Sequence, residues 1–310
     1  MDFSKVDSLK LEKTFALDSV ICTYPVMRVS HNLCCVADNS SYDAYFHIFT
    51  FPDFKYIKSV GHKGNGHGEI NPLLSFSFRD NTICALGGNG NKIVSYEIEK
   101  GTFSETYLSD DIHPIQICND DSCGWYVYSV DREYMLYRID GQGKAYPIMR
   151  EPEPSDKSPG FQKNYLWQSV IEYSNGILTY ATTSGDYISF LSKEQGFGCI
   201  GSYESDNGKP KPTTKRYGNK LLTGITYIGY ADLCLQKERI YAFFRGEELK
   251  SEPSANIENT IRTFDYKGSP LTKYKIEPTI EPSSFYVDEQ NKKIYMTIPD
   301  NENQIFVFDF

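Results

Sequence analysis

The chain has 310 residues, and 41 Asp and Glu against 32 Lys and Arg give it a formal net charge of −9. An acidic chain repels a phosphate backbone, so a nucleic-acid partner is disfavoured. No apolar run reaches the roughly 20 residues of a membrane-crossing helix, and the 24 Tyr and 19 Phe suit the half-buried surface of a pleated sheet.

This length buries enough apolar surface to fold without disulfides or metals. The start, Met1-Asp2-Phe3-Ser4-Lys5, lacks the apolar core of a signal peptide. Two expectations follow: a cytoplasmic protein, or a mature form whose leader has been replaced by a start Met. Eight Cys (22, 34, 35, 84, 118, 123, 199 and 234) lie mostly inside strand-like apolar runs, with no CxxC and no zinc spacing. The thiols are expected to be free, with one candidate disulfide: Cys118 and Cys123 bracket the turn-rich Asn119–Ser122 and would face each other across a hairpin.

In chain order, the first element is an alternating segment, Leu9–Ala16, that belongs to no repeat of its own. Short strand-like runs bounded by Gly, Asn, Asp and Pro follow, and they recur about every 40–50 residues. The third strand of each unit is clearest: Ala44–Phe51, Lys92–Glu97, Met135–Asp140, Tyr187–Ser192, Thr260–Tyr266 and Gln304–Phe310. A fourth strand follows the first five, at Lys55–Val60, Phe103–Leu108, Ala145–Met149, Gly198–Tyr203 and Leu271–Ile276. A Pro opens the first strand of four units, at Pro25, Pro72, Pro114 and Pro282, where its missing N–H is not yet needed. The other two units begin near Trp167 and Thr223, after polar insertions at Arg150–Asn164 and Glu204–Asn219 that read as loops.

The pattern predicts an all-β fold: one six-bladed β-propeller over residues 1–310, with four-stranded antiparallel blades. The last unit has three strands, so Leu9–Ala16 is expected to pair with the C-terminal blade and close the ring. By strand counting, the links between blades and the loops before each third strand share one face, and the long polar segments gather there. Function usually sits on loops held by a rigid scaffold.

The blade pattern, the end-to-end closure, the segment Gly61–Ile70 (GHKGNGHGEI) and the hairpin-like Val287–Tyr295 (VDEQNKKIY) resemble the TolB-like six-bladed propeller lipoproteins of gut Gram-negative anaerobes. The resemblance implies export to the periplasm or cell surface and a lipid anchor on a Cys that this chain lacks. It implies no activity, since a shared fold does not determine function.

No catalytic motif stands out. The Gly-rich segment does not match a P-loop, and its glycines are better explained by tight turns. His62 and His67 flank that turn without a third metal ligand, so neither a metal nor another cofactor is expected. Asp38, Glu69, Asp131, Glu133, Asp186, Glu247 and Asp300 fall on the loop face, but Asp, like Asn, is also an ordinary turn residue, and no acid–base pair can be named. Trp167, with Tyr165 and Gln168, stands where an aromatic would either stack on a ligand or plug the space between blades. Lys209, Lys211, Lys215 and Arg216 form a basic segment near it. The expected function is a non-enzymatic exported scaffold, monomeric, that binds a protein, peptide or glycan through Trp167, Tyr165, Gln168, His62, His67, Glu69, Lys211, Lys215 and Arg216. The alternative is a hydrolase or lyase with a site in the central channel, with calcium as an option.

Overall fold

The computed structural model describes all residues except 1, 18–22, 41–42, 89–90, 131–132, 151–166, 206–207, 211, 218–219, 226, 250–256, 278–279 and 300–302; of 212–217 and 220–225 only the backbone is described. Every regular element among the described residues is a β-strand.

Strand β1 (Lys5–Ala16) comes first. The first ladder is β2 (Val26–Ser30), β3 (Leu33–Ala37), β4 (Ala44–Thr50) and β5 (Tyr56–His62). The second is β6 (Leu73–Arg79), β7 (Thr82–Gly87), β8 (Lys92–Glu97) and β9 (Thr102–Tyr107). The third is β10 (Pro114–Asn119), β11 (Trp125–Ser129), β12 (Tyr134–Ile139) and β13 (Ala145–Arg150). The fourth is β14 (Ser169–Ser174), β15 (Ile177–Thr182), β16 (Tyr187–Ser192) and β17 (Gly198–Glu204). A separate hairpin, β18 (Pro212–Tyr217) and β19 (Lys220–Ile225), precedes the fifth ladder of β20 (Tyr227–Leu235), β21 (Ile240–Glu248), β22 (Thr260–Phe264) and β23 (Pro270–Glu277). The last three strands are β24 (Ser284–Asp288), β25 (Lys293–Thr297) and β26 (Gln304–Asp309).

The burial of each strand follows from its place in the ladder. β4 and β15 are buried along nearly their whole length, so both faces are covered and the sequence is apolar without alternation. The outer strands β5, β9 and β13 are largely exposed. β23 is also last in its ladder, yet Thr272, Tyr274 and Ile276 on it are buried. Its further side is occupied by β1, which lies between β23 and β26 in the sheet order.

β1 runs antiparallel to β26, from Lys10 opposite Asp309 to Ala16 opposite Gln304, with an irregularity between Leu11 and Lys13. The three C-terminal strands thus gain their fourth, outermost strand from the N-terminal segment, as the missing strand required. The Lys293 ammonium joins the Glu12 carboxylate at 2.5 Å and also bonds Asp309. Most of β1 is exposed; Leu9 is its one buried residue.

The chain divides into two compact units, one of Met1–Asp7, Tyr128–Tyr137 and Pro147–Lys275, the other of Ser8–Val127, Arg138–Tyr146 and Ile276–Phe310. In the second, Phe46, Phe76, Ile83, Val94 and Tyr96 form one core between the first two ladders. Met27, Val36, Phe49, Tyr295, Ile305 and Val307 form another. In the first unit, Phe190, Tyr230, Phe244 and Phe264 form the core, with Phe3 packed against it.

One expectation is corrected. The insertion expected as a loop over Glu204–Asn219 contains a strand, and Thr223 belongs to the β18–β19 hairpin, opposite Thr214, rather than to the start of a blade. The two residues between Tyr217 and Lys220 are Gly and Asn, a pair that favours a two-residue hairpin turn. Cys118 and Cys123 are both free, in line with the expectation of free thiols, and the candidate disulfide between them is not formed. Cys118 is buried on β10 while Cys123 is exposed in a turn organised by Asp120, whose carboxylate accepts the amides of Ser122 at 2.7 Å and Gly124 at 3.0 Å. The other described cysteines are free as well, and burial pushes the thiol pKa values of Cys34, Cys35 and Cys84 up. Cys22 and the insertion beyond Arg150 lie outside the described residues.

Truncating Leu9 to Ala removes the buried anchor of β1 and should cost about 2–4 kcal/mol of stability, measured by denaturant unfolding. A change under about 0.5 kcal/mol, the scale of an ordinary surface substitution, would show that β1 adds little to the fold.

Candidate functional site

The Gly-rich segment after β5 folds back on itself. The Ile70 amide donates to the His62 carbonyl at 3.1 Å, the Gly64 amide to the Ile70 carbonyl at 3.1 Å, and Lys63 forms a parallel bridge with Ile70. The Glu69 carboxylate accepts the Gly66 amide at 2.8 Å. Gly68 sits at φ 74°, and a Cβ there would meet the Phe103 ring, so position 68 admits no larger residue without displacement.

Glu105 of β9 anchors this turn. Its side chain is 4% exposed and accepts the Lys92 ammonium at 2.6 Å, the Gly68 amide at 2.8 Å, His67 Nδ1 at 2.6 Å and the Tyr107 hydroxyl at 3.0 Å. Burial alone would raise its pKa; the donors outweigh burial and hold the carboxyl down at about 2. Lys92, from β8, is itself buried and also reaches the Gly66 carbonyl at 3.2 Å. The Tyr96 hydroxyl donates to the Gly68 carbonyl at 2.7 Å. Two neighbouring strands of the second ladder therefore grip the link that leads into it.

The solvent side of the same node is aromatic. The His67 side chain is 77% exposed and meets the Phe103 ring edge-on at 4.9 Å. Phe103 is 42% and Tyr107 61% exposed. These three residues stand around one buried carboxylate, and all of them lie in the second unit.

A separate charged cluster lies in the first unit. Arg262 of β22 is 3% exposed and stacks on Phe244, its Cζ 3.4 Å from the ring centroid. It donates to Asp186 at 2.7 Å, to the Tyr230 hydroxyl at 3.2 Å and to both Glu258 oxygens at 3.1 and 3.2 Å. Burial opposes its charge, but Tyr230, Asp186 and Glu258 around it raise its pKa above the ordinary value. Lys273 of β23 adds a bond to Glu258 at 2.8 Å. The backbone beside Asp186 is tightly packed: Gly229 donates to the Thr183 carbonyl at 2.9 Å, and a Cβ on Gly229 would strike the Gly185 carbonyl.

The residues expected at the site are only partly gathered. His67 and Glu69 share the Gly-rich turn, while His62 is exposed at the end of β5, opposite Ala44. Trp167 is 6% exposed and packs edge-on against Tyr187 at 6.0 Å, which is the packing alternative for this residue. Gln168 offers its carbonyl to the Thr183 amide at 2.7 Å. The Lys209 ammonium lies over that same Tyr187 ring at 5.5 Å. Lys215 and Arg216 lie on β18, opposite Leu222 and Leu221. Tyr165, Lys211, Asp131 and Asp300 lie outside the described residues. Asp38 accepts the Ser40 amide at 3.0 Å, Glu133 pairs with Arg150 at 2.8 Å and Glu247 with Arg245 at 2.7 Å, all local contacts. Among the described residues no three His, Cys, Asp or Glu side chains converge as a metal-ligand set.

Sequence reasoning missed Glu105, Lys92, Phe103, Tyr107, Arg262 and Phe3. A signal existed for one of them, since Arg262 is a charge inside a third strand that is otherwise apolar or small.

Four-stranded antiparallel ladders repeated six times, each joined from its outer strand to the inner strand of the next, define a six-bladed β-propeller. The chain belongs to the TolB-like six-bladed propeller family: the family model described as "TolB-like 6-blade propeller-like" matches residues 2–290. No curated protein matches the sequence. Among solved structures the chain is similar to a putative exported protein from Bacteroides fragilis, at 14% identity over 98% of each chain with a TM-score of 0.62. It is also similar to the Neurospora crassa Pan2 WD40 domain, at 11% identity over 99% of this chain and 96% of that one with a TM-score of 0.57. A third likeness is to the RRP9 WD40 repeats, at 6% identity over 97% of this chain and 99% of that one with a TM-score of 0.55. At these identities the likeness is one of fold.

Glu105 has a folded pKa of about 2 against an ordinary value of 4.5, so its stabilisation is present above about pH 4.5 and is lost as the pH falls towards 2. Replacing Glu105 by Gln leaves Lys92 buried without its counter-charge and should cost about 3 kcal/mol at pH 7. Thermal unfolding of wild type and Glu105→Gln between pH 7 and 2 checks both points: the gap between them should narrow below pH 4.5, and a gap independent of pH would contradict the assignment.

Proposed function

We propose that the chain is a non-enzymatic, exported propeller scaffold that binds a protein, peptide or glycan through a surface built on the links between blades. The observation that carries this reading is the Glu105 node, where a buried carboxylate fixes a Gly-rich link while His67, Phe103 and Tyr107 face solvent around it. Aromatic residues on a rigid base bind with little loss of conformational freedom, and they are enriched where binding energy concentrates. His67 and Tyr107 add polar groups that orient a partner. His67 and Glu69 were singled out in the sequence; Phe103 and Tyr107 take the stacking role that was one of the two alternatives for Trp167.

Export to the periplasm or cell surface as a lipoprotein is part of the reading. Its supports are membership of the TolB-like family and the fold shared with a protein described as exported. The propeller fold shared with WD40 domains supports a scaffold over a catalyst only as a matter of architecture.

Screening on glycan arrays and by cross-linking in periplasmic extract would identify a ligand. His67→Ala combined with Tyr107→Ala should then weaken it at least tenfold, with the fold retained by circular dichroism. A ligand unaffected by this pair but lost on changing the opposite turns, such as the one around Asp140, would show that binding uses another surface.

A further inference from the structure

The half-buried ring of Phe3 sits beside the Arg262 cluster, in the first unit, whereas the Glu105 node belongs to the second. It packs against Tyr203 at 5.3 Å and Phe264 at 5.6 Å, with the Arg262 guanidinium 5.5 Å and the Lys273 ammonium 5.6 Å from its centroid. The next residue, Ser4, donates to the Leu271 carbonyl at 2.6 Å, and β1 then continues beside β23. The segment is therefore held as an added strand: main-chain pairing along a sheet edge, and one aromatic side chain in a slot.

Two features set this segment apart from an ordinary core element. Lys5, Val6 and Asp7 are all exposed, so the ring of Phe3 is the main apolar anchor of the segment. The fit is also incomplete. Arg262 Nε is buried and has no hydrogen-bond partner among the described residues. A buried donor left unmade is costly, and the hydrocarbon ring of Phe3 offers it no acceptor.

We propose that the slot between Tyr203, Phe264, Arg262 and Lys273, with the adjoining edge of β23, is a binding site for an extended segment of a partner protein presenting a tyrosine, and that Phe3–Asp7 occupies it as a resident self-ligand. The phenol ring repeats the stacking that Phe3 makes, and its hydroxyl supplies the acceptor that Phe3 lacks. The edge of β23 supplies main-chain bonds whatever the flanking sequence. The resident segment competes from within the chain, so a partner must gain from the hydroxyl to displace it.

The test uses the full chain and fluorescent peptides of residues 2–8, carrying Phe, Tyr or Ala at position 3. Phe3→Ala empties the slot. This variant should bind the Phe peptide, bind the Tyr peptide about tenfold more tightly and fail to bind the Ala peptide, by fluorescence anisotropy. Wild type should bind the Phe peptide at least tenfold more weakly than the variant does, because its slot is filled. Binding that ignores the residue at position 3, or no binding to a Phe3→Ala chain that retains its circular dichroism spectrum, would overturn the site. Equal or weaker binding of the Tyr peptide would overturn the tyrosine assignment. If Phe3→Ala does not fold, Phe3→Leu keeps apolar volume without the ring and is read in the same way. Self-association of Phe3→Leu or wild type through exchanged N-terminal segments, seen as dimers by sedimentation, would show that the occupant is a second copy and overturn the foreign partner. None of these outcomes touches His67, Phe103 or Tyr107, so failure here leaves the Glu105 surface to be judged separately.

Discussion

An unpaired strand edge is the constraint around which this chain is arranged. Each exposed N–H and C=O along an edge must be satisfied by water or by another strand, and a long bare edge invites association. The C-terminal blade has only three strands from its own stretch of chain, and β1 completes it at β26. β1 achieves this with one buried residue, Leu9, and a mainly polar, charged surface. Its hold on the fold is therefore chiefly main-chain pairing, helped by Lys293 lying between Glu12 and Asp309. A strand of this kind can be polar in sequence and still be integral to the structure.

Charge is used in the same way, as a clasp between backbone segments. Glu105 gathers the Gly-rich link, Asp120 gathers the turn after β10 together with Arg138, and Asp186 receives Arg262 and Tyr230. Buried ion pairs add little net stability, because desolvation offsets the attraction, but losing one partner is expensive. What such pairs supply is geometry, since a carboxylate with several donors permits one arrangement of the loop. The surface carried by His67, Phe103 and Tyr107 owes its order to this effect.

Much of the architecture was legible because blade strands leave strong local signals. The third strands are buried on both faces, and the segments expected at Lys92–Glu97 and Tyr187–Ser192 coincide with β8 and β16. The hairpin read at Val287–Tyr295 is the β24–β25 pair. A repeated turn went unnoticed: Asp140 and Asp265 each begin a D-x-x-G-x sequence in which the carboxylate accepts two backbone amides. The β18–β19 hairpin was hidden because Pro and Lys are weak strand formers and its Gly-Asn pair lay inside a segment read as polar loop. The site was less legible than the fold. The burial of Trp167, and the convergence of Glu105 with His67 across 38 positions, depend on tertiary packing that leaves no local pattern. Charges inside third strands, Arg138 on β12 and Arg262 on β22, were a local sign of ion pairs with buried carboxylates.

The most direct measurement is native-state hydrogen exchange along β26. The amides that donate to β1 should exchange only with global unfolding, with the same free energy as the central amides of β8. Exchange of those amides at a much lower free energy, with β25 still protected, would mean that β1 detaches readily and that the C-terminal blade stands without its fourth strand.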